Sequence, residues 1–351
     1  MQTPILLRRC RAAALTLAGA AVLTAPVVSA TTALANDELN IYSYRQEFLL
    51  KPLLKAYEAE TGTKFNVVFA PKGLAQRLEA EGAQTPADLV LTVDIARLSD
   101  LAEKDLLAPV ASEVLTSVVP GKLRDPQNRW FALSKRARIL AVSKKAKDID
   151  QLKTYADLAD ARWKGRICSR PGSHVYNRAL IASIIDAEGA EKAQAWAEGV
   201  VANFARRPQG NDRAQVKAIY EGVCDVAIIN NYYIGKLQTS DKPEQPKWAE
   251  AVTLVFPNQD GRGTHVNVSG AGVVKHSKRK EAATRFLEFL VSPKAQAIYA
   301  ETNFEYPVNA EVEPPPALKA QMEKYREDAL QVSKIADLAP EAQKLIDRVG
   351  W

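Results

Sequence analysis

The pattern of this chain predicts an α/β fold in two units, arranged as two lobes with a ligand cleft between them. Three observations carry the expectation. Apolar runs of strand length alternate with segments of helical spacing, the alternation occurs twice, and an export signal precedes both. In the first unit, residues 39–43 form a short apolar strand and 48–61 carry apolar side chains at helical spacing. Residues 64–69 alternate as a strand, 74–82 are helical, 88–93 are a near-continuous apolar strand and 95–104 another helix. Strand, helix, strand, helix with short links predicts a parallel sheet. Gly62 and Gly82 stand where helix C-termini favour glycine.

Asp125-Pro126 and Asn128 mark a turn, followed by two strands at 130–133 and 138–142. A short helix at 155–161 has Thr154 as its N-cap. The second unit starts at 165–169. It continues through helices at 177–188, 191–204 and 212–221, the last stopped by Gly222, and reaches a buried strand at 223–229. Residues 268–274 read as a further strand, in which Gly270 and Gly272 predict close approach of another backbone. Helices at 280–290 and 295–302 follow, and the tail beyond Pro314 holds two or three more. Ligands of open α/β sheets bind beyond the carboxyl ends of the strands. The loops after Ser43, Val93, Ser169 and Ile229 are therefore the ones to inspect.

The ends and the composition narrow the function. Arg8, Arg9 and Arg11 form the charged start of a signal, and residues 12–30 are mostly small and apolar without an acid or base. Ala33-Leu-Ala35 fits the small-x-small cleavage pattern, which puts the mature start at Asn36. Pro26 and the cleavage site argue against a membrane anchor, and the residues flanking Arg8-Arg9 match a twin-arginine signal poorly. No later segment is apolar enough to span a bilayer, so the expected destination is the periplasm or the outer face of the cell. The net charge of +6 falls to +3 once the three signal arginines are removed, too weak a balance to imply nucleic acid. The basic run Lys275-His-Ser-Lys-Arg-Lys280 reads as a solvated turn before a helix. Beyond Cys10 there are two cysteines, Cys168 and Cys224; an oxidising destination favours a disulfide over two buried thiols. Neither has a neighbour that would activate a catalytic thiol.

The candidate loops are rich in phenols. They read Tyr44-Arg-Gln-Glu47, Arg170-Pro-Gly-Ser-His-Val-Tyr-Asn177 and Asn230-Asn-Tyr-Tyr233, in a chain with only 11 tyrosines in 351 residues. Consecutive strand residues point to opposite faces, so Tyr232 and Tyr233 converge only if the backbone turns there. If it does not, one packs in the core and the other lies on the surface. Asn230-Asn231 before the pair and Ile234-Gly235 after it favour a turn at a strand-to-helix junction. A free phenol titrates near pH ~10, so only a strongly charged cation displaces its proton at neutral pH. Three phenolates balance a trivalent ion, and a hard oxygen set disfavours zinc and cuprous copper. His174, His265 and His276 lack zinc spacing, and Asn258-Gln-Asp-Gly-Arg-Gly263 has too few oxygens for a calcium loop. No nucleophile elbow, P-loop or dinucleotide fingerprint is present, which argues against an enzyme.

At these residues the chain resembles the periplasmic ferric-iron-binding proteins, the substrate-capturing components of bacterial iron ABC transporters. The resemblance spans the mature chain. It is carried by Ile41-Tyr-Ser-Tyr-Arg-Gln46, Pro86-Ala-Asp-Leu-Val-Leu-Thr-Val-Asp94, Ser134-Lys-Arg-Ala-Arg138, Gly165-Arg-Ile-Cys168, Ser173-His-Val-Tyr-Asn177, Cys224-Asp-Val-Ala-Ile-Ile-Asn-Asn-Tyr-Tyr233, Gly263-Thr-His-Val-Asn-Val-Ser-Gly270 and Glu305-Tyr-Pro-Val308. It implies the type II two-lobe periplasmic binding protein fold, its lobes joined by crossover hinge strands. The implied segments are a signal peptide at 1–35, an N-lobe at 36–136, a C-lobe at 137–262, a return to the N-lobe at 263–310 and C-terminal helices at 311–351 on the C-lobe. It further implies Fe3+ held by Tyr176, Tyr232 and Tyr233 in a monomer that serves an ABC permease.

In one branch of that family a His-Tyr pair follows the first strand and adds a phenolate. Here Gln46 and Glu47 stand at those positions, a departure that resembles the branch in which three tyrosines and a synergistic carbonate complete the sphere. By that similarity Gln46 and Arg136 hold the anion, a role for which a guanidinium fork is suited. Glu47 is a further candidate ligand, Tyr44 a cleft residue, and Arg138 a structural partner on the same strand face as Arg136. The resemblance also places Cys168 and Cys224 in neighbouring strands of one lobe, where a bridge would brace the tyrosine loops. The competing expectation is a binding protein for an organic ligand of polyamine, thiamine or phosphonate type, with the tyrosines as a stacking platform.

Overall fold

The computed structural model describes residues 38–351; the expected signal segment and cleavage site lie outside them. The first unit runs through β1 (Glu38–Ser43), α1 (Glu47–Thr61), β2 (Lys64–Phe69), α2 (Leu74–Glu81), β3 (Leu89–Thr92), α3 (Ile95–Glu103) and the short α4 (Glu113–Val118). β1 pairs in parallel with β2 on one side and β3 on the other. Leu39 and Ile41 of β1 are fully buried with Leu89 and Val90 of β3. Gly62 closes α1 at φ 76°, where a side chain would be strained. Asp94 caps α3 through the amide of Ala96 at 3.0 Å.

β4 (Phe131–Ser143) is one strand of 13 residues, where the sequence predicts two. The charged Ser134-Lys-Arg-Ala stretch interrupts the apolar pattern without interrupting the strand, because its charges find partners inside the protein. Arg136, 2 % exposed, donates to Ser269 Oγ at 3.1 Å and to the Val93 carbonyl. The second unit contains β5 (Ile167–Cys168), α5 (Val175–Glu188), α6 (Ala190–Ala202), α7 (Asp212–Tyr220), β6 (Val226–Asn230), α8 (Tyr232–Gln238), α9 (Glu244–Glu250) and β7 (Val252–Val255). Short 3₁₀ turns at Ala156–Ala159 and Ala161–Trp163 take the place of the helix expected at 155–161. The chain returns through β8 (Val266–Val273), α10 (Lys280–Leu290), α11 (Pro293–Ile298), a π-helical turn at Tyr299–Asn303 and β9 (Tyr306–Pro307). It ends in α12 (Pro316–Met322), α13 (Val332–Asp337) and α14 (Ala339–Val349).

The strand order is β2-β1-β3-β8-β4-β6-β5, with β7 and β9 also on β4. The sheet is mixed rather than parallel. β8 runs antiparallel to both β3 and β4, and β6 and β7 run antiparallel to β4. Period-2 patterning carries no pairing direction, so this reversal is invisible in the sequence. The glycines of β8 do mark the junction. A Cβ at Gly270 would stand 2.5 Å from the Phe131 carbonyl oxygen, and one at Gly272 would stand 2.6 Å from that of Arg129. β4 belongs to both halves: residues 131–137 pair with β8 and 138–143 with β6 and β7. α14 packs on α5 and α6, whereas α13 packs on α3 of the first unit as well as on α5.

Cys168 and Cys224 form a disulfide with a Cα–Cα distance of 5.9 Å. Cys168 ends β5, and Cys224 lies just before β6 in the neighbouring strand register. The bridge therefore fastens β5 to the start of β6, at the opposite end of that strand from Tyr232 and Tyr233.

Candidate metal centre

All four loops chosen from strand ends meet at one cleft of about 330 Å³. β1 delivers Tyr44, Arg45 and Gln46; β3 delivers Val93; the loop after β5 delivers His174 and Tyr176; the end of β6 delivers Tyr232 and Tyr233. The backbone does turn at the tyrosine pair. β6 stops at Asn230, and Tyr232 and Tyr233 are the first two residues of α8. Asn231 fixes the turn against β4: its backbone amide donates to the Ala137 carbonyl at 3.1 Å and its Oδ1 accepts from the Ala137 amide at 3.0 Å.

The three phenols converge. The hydroxyls of Tyr176 and Tyr232 are 3.1 Å apart, and the rings of Tyr232 and Tyr233 lie 4.4 Å apart, tilted by 33°. Burial pushes the Tyr232 phenol well above its ordinary value, and the neighbouring Tyr176 and Tyr233 push it further. Burial and Tyr176 raise Tyr233 in the same direction. These two phenols therefore stay protonated at neutral pH unless an ion displaces their protons. Only an ion that strongly favours phenolate displaces those protons, which makes the cluster a filter for high charge.

Tyr176 is held by a cationic frame. The guanidinium carbons of Arg136, Arg138 and Arg170 lie 5.2, 5.8 and 5.0 Å from its ring centre. Arg138 donates to Asp212 Oδ2 at 2.7 Å, to Asn177 Oδ1 at 2.6 Å and to Asn230 Oδ1 at 3.0 Å. Arg170 reaches the other Asp212 oxygen at 3.0 Å. Burial alone would raise the Asp212 carboxyl, but Arg138 and Arg170 overcome it and hold the group below the usual range. Arg138 is thus structural, as its position two residues from Arg136 suggests. His174 caps α5 by accepting from the Tyr176 amide through Nδ1 at 3.2 Å, and its ring packs edge-on to Tyr176. Burial, reinforced by Arg170, lowers His174 to about 3, so it remains a neutral cap.

The other expected residues separate. Gln46 and Arg136 both line the cleft. Glu47 opens α1, is exposed and does not line it. Tyr44 lines the wall, but its hydroxyl accepts from the Ala75 amide at 3.1 Å and Arg97 lies 4.3 Å over its ring. Sequence reasoning missed the buried pair of Arg45 with Glu305 (2.8 Å), which also engages Ser134 and Ser269. Both residues stand in the motifs quoted above, but 260 residues separate them, and no local spacing announces such a pair. The aromatic rim of Phe48 and Phe69, 62 % and 43 % exposed, was also missed. Among the described residues, no group of three or more His, Cys, Asp or Glu side chains could hold a metal. No helix there is long and apolar enough to cross a membrane.

Two α/β halves sharing the long strand β4, with the tyrosine-lined cleft at their strand ends, make this a two-lobe solute-binding protein of type II. The model of the bacterial extracellular solute-binding protein family matches residues 42–297, and the chain belongs to that family. It is 44% identical over 316 residues to iron uptake protein A1 of Synechocystis sp., covering 90% of this chain and 88% of that protein. Among solved structures, a Trichodesmium protein (IdiA, FutA) in complex with iron and citrate ligands superposes with a TM-score of 0.84 at 45% identity, covering 90% and 99% of the two chains. The ferric binding protein from Campylobacter jejuni gives 0.85 at 41% identity, covering 89% and 99%.

Proposed function

We propose that this protein captures ferric iron in the periplasm through the phenolates of Tyr176, Tyr232 and Tyr233 and carries it, as a monomer, to an ABC permease. The convergence of three phenols on one cleft beside Arg136 carries this reading. Three phenolates neutralise the three charges of the ion, and an octahedral sphere leaves three positions open. Gln46 and Arg136 on the cleft wall are suited to an oxyanion such as carbonate in those positions, with no fourth tyrosine and without Glu47. The lobes proposed are 36–136 with 263–310, and 137–262, hinged on the shared strands, with 311–351 as the C-terminal helices.

Adding ferric citrate with bicarbonate to the purified protein at neutral pH should produce a visible phenolate-to-iron charge-transfer band. Phenylalanine at Tyr176, Tyr232 or Tyr233 should abolish or shift that band. A colourless wild-type protein, or three variants that bind iron like wild type, would overturn the assignment.

A further inference from the structure

Beside the cleft, and sharing Arg136 and Tyr176 with its lining, lies a second and much smaller pocket of about 10 Å³, lined also by Arg138, Asn230, His265 and Asn267. Its size is that of one water molecule and excludes carbonate. Three of its lining residues each carry a buried polar atom with no protein partner: Arg138 Nε, Asn230 Nδ2 and His265 Nδ1. All three residues are at least nine-tenths buried. One orphaned group is costly, at roughly 1–3 kcal/mol, and three around one pocket call for a common ligand.

The chemistry of the three atoms selects that ligand. Arg138 Nε and Asn230 Nδ2 are donors only. His265 is kept neutral by burial and by the charges of Arg262, Arg138 and Arg136, so its Nδ1 is free to accept. A ligand that accepts twice and donates once within such a volume is water. We propose that this pocket is a dedicated one-water site, and that the water makes His265 a positioning residue for Tyr176. The water accepts from Arg138 and Asn230 and donates to His265, which fixes the imidazole as its Nε2–H tautomer. Arg138 then has its Nε anchored on one side while its terminal nitrogens hold Asp212, Asn177 and Asn230 on the other. Asn177 follows Tyr176 in α5, so the orientation of Arg138 is transmitted to the phenol. The site draws on β4, on the end of β6 and on the approach to β8, and therefore lies where the two halves of the sheet meet.

The water site stands on its own; its effect on cargo rests on the ferric reading. A crystal structure of the iron-free protein at high resolution tests the first part. The expected result is one ordered water about 2.7–3.2 Å from all three atoms. A dry pocket would overturn the proposal. So would an anomalous peak there after a bromide soak, since that would mark a halide held by three donors. The second part is tested with His265→Leu, which removes the acceptor, and His265→Gln, whose amide oxygen can restore it. His265→Leu should bind iron about 10–100-fold more weakly, the range for partners that orient a metal ligand, with a displaced visible band. His265→Gln should recover most of the affinity and the wild-type band position. Wild-type affinity in His265→Leu, or equal loss in both variants, would refute the positioning role. If wild-type protein shows no iron band at all, the ferric reading fails, while the crystallographic result still decides the water site.

Discussion

Replacing Asp212 by asparagine should destabilise the iron-free protein by about 3–5 kcal/mol, the cost of breaking a buried ion pair by removing one partner. The structure gives the reason for so large a figure. The carboxylate is fully buried and accepts from Arg138 at 2.7 Å, from Arg170 at 3.0 Å and from the Asn230 amide at 2.8 Å. An asparagine amide must turn a donor towards one of these donors, and it leaves two guanidinium charges with no counter-ion beside Tyr176. At roughly 2–4 °C per kcal/mol for a chain of this size, the melting temperature should fall by about 10 °C. The sign of the pH dependence follows from Asp212 lying below its ordinary value in the folded state. Its contribution is complete above the unfolded value near pH ~3.9 and is lost as pH falls through the lower folded value. Urea melts between pH 3 and 7 should therefore show a constant gap between wild type and Asp212→Asn at neutral pH that narrows in acid. A free-energy gap under about 1 kcal/mol at pH 7, or one that widens on acidification, would refute the assignment of Asp212 as the keystone of the frame.

Further outcomes follow from the same geometry. Changing Cys168 and Cys224 to serine removes a closure of 56 residues; the chain-entropy estimate is about 4 kcal/mol, read as a lower urea midpoint. The same variant should retain the visible iron band, because the bridge sits at the far end of β6 from the tyrosine pair. With bicarbonate left out, ferric binding near pH 7 should release about three phenol protons in a pH-stat measurement, and about two in each tyrosine-to-phenylalanine variant; bicarbonate bound as carbonate adds about one more. For the same reason affinity should fall as the pH is lowered. Gly270→Ala drives a methyl group to 2.5 Å from the Phe131 carbonyl and should cost at least about 1–3 kcal/mol, checked by thermal melts.

Much of the site was legible because it depends on local sequence. The tyrosine pair follows a buried strand directly, and Asn230-Asn231 announces the turn that brings both rings to one side. Gly270 and Gly272 announced the close approach of β4, and the chosen loops all reach the cleft because carboxyl ends of strands do so by topology. What the sequence hid is non-local. Lys135 and Arg136 disguise the middle of β4 as a break, because their partners, Glu327, Ser269 and Val93, lie far away in the chain. The antiparallel entry of β8 leaves no trace in period-2 patterning, and the pairing of Arg45 with Glu305 spans nearly the whole protein. The resemblance named Arg136 and Gln46, but only the fold connects Arg138, Asp212 and Asn177 to Tyr176.

The continuity of β4 has a mechanical consequence. Arg136 pairs with β8 in one half of the sheet and Arg138 with β6 in the other, yet only Ala137 stands between them in the extended chain. Their spacing along the strand is about 7 Å, set by covalent geometry. A rotation of one half against the other, if hinged near Ala137, would scarcely alter that length. The arginine facing the cleft and the arginine bracing Tyr176 thus share one inextensible link. Opening the cleft would change which partners face each other across it, but it would leave the backbone anchors of the two side chains at the same spacing.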